Sequence, residues 1–116
     1  MSEDIFELGL NLETIKDVVD QYDVKFSHIG VKGRINYDDM SISLSPLFND
    51  CNTTLLHEIV HHQIDNVLYL DDRFSESDID AIAAELLEKN EEIYDYLTEV
   101  IEQAPLEERL RIKQYT

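Results

Sequence analysis

The chain is poor in sulfur, in basic charge and in long apolar runs. A single cysteine, Cys51, stands among 116 residues, so no intrachain disulfide can form. That suits a reducing cytoplasm. One thiol also cannot build a closed structural zinc site, which prefers several cysteines. Cys51 itself reads as a small packing residue. Tryptophan is absent, and three glycines and two prolines leave no flexible or collagen-like tract. Lys and Arg number 9 against 26 Asp and Glu, a formal net charge of −17. Phosphate recognition rests on Lys and Arg, so unaided binding to nucleic acid or an anionic membrane is not expected. No apolar run approaches the roughly 20 residues of a membrane span. The segment from Met1 to Glu7 has neither a basic nor an apolar region, so no signal peptide is expected.

What remains is the composition of a globular protein, 43% apolar and 30% charged. The length is close to the commonest domain size and long enough to bury a core unaided. No repeat or linker interrupts it, so residues 1–116 read as one domain. The acidic excess fits a solvated shell, a basic partner or a surface that mimics DNA.

One stretch carries chemistry. His57 and His61 stand four residues apart with Glu58 directly after the first, an H-E-x-x-H pattern. On a helix, such histidines lie about 40° apart on one face. Two imidazoles so placed can share one tetrahedral Zn²⁺. Glu58 projects about 100° from His57, off the metal but able to take a proton from a water activated there. Leu55, Leu56, Ile59, Val60, Ile64 and Val67 fill an opposing apolar arc, broken by Gln63. His57, Glu58, His61, Thr54 and Asp65 share the other side. A helical histidine pair can also be a solvated face. The expectation here is a core on one side and a metal cleft on the other. His62 turns about 100° from His61 and reads as a flanking residue that does not bind metal.

The rest of the chain frames this helix. Residues 2–22 read as helical, with Gly9 as a break and Asn11 as N-cap of a helix packing through Leu12, Ile15, Val18, Val19 and Tyr22. Residues 23–46 change period. Val24, Phe26 and a half-buried His28 alternate with Lys25 and Ser27. Arg34–Tyr37 follows, then Met40, Ile42 and Leu44 on one face with three serines on the other. Three short, largely antiparallel strands are predicted, because the connections look too short for crossovers. Asp50 or Asn52 can cap the central helix, predicted over Thr53–Tyr69. Ser75 and Asp78 form a capping-box pair for a helix over Glu76–Asn90. A further helix spans Glu91–Gln103, and Pro105 opens a last one over Leu106–Lys113.

A catalytic zinc site needs a third protein ligand. Glu76 begins the next helix, aimed by Ser75, and Asp80 sits one turn on. Asp80 is placed to accept a hydrogen bond from the non-ligating nitrogen of a zinc histidine. Equally, a carboxylate is favoured at any helix start by the macrodipole, and Asp80 could be an ordinary exposed acid.

H-E-x-x-H followed by Glu-x-x-x-Asp on the next helix, here Glu76 and Asp80, resembles the gluzincin zinc metallopeptidases. More narrowly, Thr54–His61 followed by Ser75–Leu87 is similar to the ImmA/IrrE metallopeptidase family of bacteria, phages and mobile elements. The likeness spans residues 24–90. It departs at Ile79–Asp80, where the family often has Ala-Asn, and at Ile82, where an aromatic is usual. The resemblance implies an α+β, minimal zincin-like fold with the H-E-x-x-H helix central. It implies Zn²⁺ held by His57, His61 and Glu76, and cytoplasmic proteolysis, often of a repressor or regulator.

On this reading Glu58 is the general base and acid. An additional oxyanion donor is left open among Tyr37, Tyr69 and Arg73. A protein or peptide substrate could add as a strand beside Met40–Ser45, were that strand at a sheet edge. The alternative is a non-catalytic acidic binding protein on the same scaffold, of DNA-mimic or regulator-binding kind. It would need no metal, and the intact His57-Glu58-His61 set speaks against it. The oligomeric state is not legible.

Overall fold

The computed structural model describes residues 9–67 and 74–106. The predicted segments 2–8 and 107–113, together with Tyr69 and Arg73, lie outside the described residues.

Helix α1 (Leu12–Asp20) starts as predicted. Asn11 has an extended backbone, and its side-chain oxygen accepts from the Thr14 N–H at 2.9 Å. Such a cap is worth about 1 kcal/mol. Gly9 precedes it at φ +68°, left-handed backbone that glycine tolerates. Ile15, Val18 and Val19 face the core.

Three strands follow: β1 (Asp23–Phe26), β2 (Gly33–Asn36) and β3 (Ser41–Leu44). Their spatial order is β1-β3-β2. β2 pairs antiparallel with β3, but β1 pairs parallel with it, Val24 opposite Ile42 and Phe26 opposite Leu44. The sheet is therefore mixed, which corrects the largely antiparallel expectation. Each neighbouring connection is indeed too short for a crossover. The relevant connection is the whole of residues 27–40, with β2 inside it, which meets the dozen or so residues a parallel return needs.

That order also moves the sheet edge. β3 is central, so no further strand can add beside Met40–Ser45. β1 is met on its outer side by the C-terminal segment, with the Phe26 N–H donating to the Pro105 carbonyl at 2.9 Å. Among the described residues, no strand pairs with the outer edge of β2.

Three details of the strand reading are corrected with it. Ile42 and Leu44 are fully buried, but Ser41 and Ser45 are buried too, as suits a central strand. Met40 leaves the apolar face: it closes the turn before β3 at φ 56° and is exposed. His28 is exposed rather than half-buried, because β1 ends at Phe26 and Ser27 takes the buried position. The Ile29 N–H then donates to the Ser27 carbonyl and turns the chain.

Helix α2 (Cys51–His62) runs on as a single π-helical turn, Gln63–Val67. It packs against α1, β2, β3 and the two helices that follow. Leu55, Leu56, Ile59 and Val60 are all 0% exposed. Burying each such side chain is worth about 1.5–3 kcal/mol. Asp50 stands at the N-cap position but makes no cap; its carboxylate accepts from Lys32 Nζ at 2.9 Å. Asn52 lies inside the helix and reaches Thr98 Oγ1 at 2.6 Å.

Helix α3 (Glu76–Lys89) opens with the predicted capping box. The Asp78 N–H donates to Ser75 Oγ at 3.2 Å, and the Ser75 N–H donates to Asp78 Oδ2 at 3.0 Å. Helix α4 (Glu91–Gln103) buries Ile93 and Leu97. A small sheet on one side and helices on the other enclose one core, an α+β architecture with α2 at its centre. Among the described residues, no helix is long and apolar enough to cross a membrane.

Candidate metal centre

The face of α2 away from the core presents His57, a buried Glu58 and His61, and the first turns of α3 face it with Glu76 and Asp80. The Ser75 cap fixes where α3 starts, and so where Glu76 points. The Glu76 carboxylate bridges the two imidazoles. Its Oε2 lies 2.9 Å from His57 Nε2 and its Oε1 lies 3.1 Å from His61 Nε2. The two rings stand edge-on with centroids 4.8 Å apart. Asp80 Oδ1 lies 2.7 Å from His57 Nδ1, on the far side of that ring. Glu76 and Asp80 are thus drawn to the histidines although their side chains are 71% and 68% exposed.

The donor set fits a tetrahedral cation. Ligand atoms about 2.0–2.1 Å from one zinc stand roughly 3.3 Å from each other. One ligand atom from each of His57, His61 and Glu76 lies within 4.8 Å of the others. The His57–Glu76 and His61–Glu76 separations are already near the required value. His57 has a carboxylate oxygen against each ring nitrogen. His57, His61 and Glu76 are close enough to hold a metal ion.

Glu58 differs from the other carboxylates. It is only 7% exposed. Burial pushes its carboxyl above the ordinary range; His57 and His61 oppose that, and Glu76 adds to it. Beside it the backbone of β2 comes very close. A Cβ on Gly33 would stand 2.5 Å from Thr54 Cγ2 and 3.5 Å from Glu58 Oε2. Only glycine permits that approach. A pocket of about 160 Å³ opens there, lined by Gly33, Thr53, Thr54, His57 and Glu58, with the Lys32–Asp50 pair and Asp80.

The flanking residues divide. His62 points the other way, into the core. Its Nδ1 lies 2.7 Å from the Tyr22 hydroxyl, and the rings meet edge-on. Burial lowers its basicity, opposed by the nearby Asp65 carboxylate. Tyr37 donates its hydroxyl to Asp65 Oδ2 at 2.8 Å. Burial, then that bond, hold its proton on well above the usual phenol range. Two residues beside the site had no role in the sequence reading, which placed Asp65 on the cleft side of the helix without assigning it one. Gly33 is a strand residue pressed on α2. Asp65 is four residues beyond His61 and on the same face, a spacing that points to it.

Compared with protein-family models, curated proteins and solved structures, the chain matches none of them.

Proposed function

We propose that this chain is a zinc-dependent peptidase of the gluzincin, ImmA/IrrE-like kind, hydrolysing a peptide bond in a cytoplasmic protein such as a repressor or regulator. One observation carries the reading: a buried carboxylate, Glu58, beside three side chains close enough to hold a metal ion. Zinc held by His57, His61 and Glu76 would supply Lewis acidity at the scissile carbonyl and a water of lowered pKa.

The chain's own groups do the rest. Glu58 takes a proton from the attacking water and returns it to the leaving nitrogen. Its burial beside His57 and His61 holds it where a proton can pass between water and the leaving nitrogen. Asp80 accepts from Nδ1–H of His57 and so keeps the Nε2 lone pair free for the cation. The outer edge of β2, with which no strand pairs among the described residues, could offer an extended peptide its backbone hydrogen bonds, with Gly33 packed against Glu58. The acidic binding protein remains the competing reading, supported by the charge of −17.

The test uses zinc-loaded protein, its Glu58→Gln variant, and a broad mixture of peptides read by mass spectrometry. Cleavage by the parent and none by the variant, at equal zinc content, is the expected result. Equal cleavage by both removes Glu58 from the mechanism. No cleavage by either, with zinc bound, favours the binding protein.

A further inference from the structure

His57 and His61 play the same part, but only His57 has an evident orienting partner. Each ring turns Nε2 towards Glu76, so each must keep its proton on Nδ1 when Nε2 is a ligand. For His57 that proton goes to Asp80. The carboxylate facing Nδ1 of His61 is Asp65, with Oδ2 at 3.8 Å. It comes from the π-helical turn that continues α2, and such turns often occur at functional positions.

Asp65 is itself held. The same Oδ2 accepts the Tyr37 hydroxyl at 2.8 Å. Tyr37 follows directly on β2. At 3.8 Å the Asp65–His61 contact is electrostatic and too long for a direct hydrogen bond. Bonds of this kind tighten when the site is loaded. A cation on Nε2 makes Nδ1–H a stronger donor, and Asp65 has an oxygen already aimed at it.

We infer that Tyr37 and Asp65 form a positioning pair for His61, the counterpart of Asp80 for His57. Tyr37 aims Asp65; Asp65 fixes the tautomer and tilt of the His61 ring. Neither residue touches the cation. The pair also ties the metal site to the end of β2. This rests on the metal reading above, and the experiment separates the two.

The experiment titrates chelator-stripped protein with Zn²⁺ and, separately, with Co²⁺, whose visible absorption reports ligand geometry. The parent, Asp65→Ala, Asp65→Asn and Tyr37→Phe are compared, each with a urea midpoint measured without metal. Loss of such a partner costs about 10–100-fold in metal affinity. Asp65→Ala should show a loss in that range and a shifted cobalt band. Asp65→Asn keeps an acceptor and should fall between Asp65→Ala and the parent. Tyr37→Phe removes one hydroxyl and should give a smaller loss in the same direction, with its metal-free urea midpoint close to that of the parent. Parental affinity and an unchanged cobalt spectrum in both Asp65→Ala and Tyr37→Phe would overturn the pairing while leaving the metal site intact. Absence of metal binding by the parent would overturn both.

Discussion

The two faces of α2 follow opposite rules within the same twelve residues. On one face Leu55, Leu56, Ile59 and Val60 are fully buried and meet the core. On the other, two imidazoles at 15% and 20% exposure and a buried Glu58 meet Glu76 and Asp80. The first face holds the fold together. The second gathers carboxylates around two imidazoles and buries one of them, and its His57, His61 and Glu76 are close enough to hold a metal ion. On the proposed function, a residue's place on this helix decides whether its loss is felt as unfolding or as lost chemistry.

The sharpest way to break that comparison is to cut each face separately. Ile59→Ala should lower the unfolding free energy by about 2–5 kcal/mol, read by urea denaturation, because it leaves a cavity in a closed core. Glu58→Gln should leave zinc stoichiometry unchanged and lower turnover about 10²–10⁴-fold, the usual share of a general base.

Gly33→Ala falls between the faces. Its added methyl meets the Thr54 side chain, so that side chain or β2 must shift. It should cost about 1–3 kcal/mol in thermal or urea unfolding. Retention of full stability would show that β2 does not lean on the helix there. Asp80→Asn should weaken zinc binding about 10–100-fold in a competition titration, with little change in metal-free stability.

The smallest effect is the most diagnostic of the site's cost. Burial raises the Glu58 carboxyl in the folded, metal-free chain. A group whose folded pKa is raised favours folding fully below its unfolded pKa, and that contribution fades as pH rises through the folded value. Metal-free Glu58→Gln should therefore be more stable than the parent at pH 7. The gap should close below about pH 4, under the ordinary Glu value. A variant less stable than the parent at pH 7 would mean that the ionised carboxylate is satisfied where it stands.

Local chemistry made much of this legible beforehand. The H-E-x-x-H spacing, the Ser75–Asp78 box and the Asn11 cap depend on residues within one turn, and the structure repeats them. Glu76 was legible because the cap determines the start of α3. Strand pairing was not, since β1 meets β3 only after the chain has passed through β2. The burial of Ser41 and Ser45 and the exposure of His28 follow from that pairing and from where β1 stops, neither of which alternation encodes. Gly33 needed the approach of β2 to Thr54, a tertiary contact. Asp65 had a local signal, the four-residue step from His61, but its Tyr37 partner comes from 28 residues earlier.

The most direct measurement is a zinc titration of chelator-stripped parent, His61→Ala and Glu76→Ala proteins at equal folded concentration. One zinc per parent chain, none retained stoichiometrically by His61→Ala and clearly weaker binding by Glu76→Ala is the predicted result. Parental affinity in Glu76→Ala would mean that the bridge between the two imidazoles is only a hydrogen-bonded acid, and the site would not be the hydrolytic centre described.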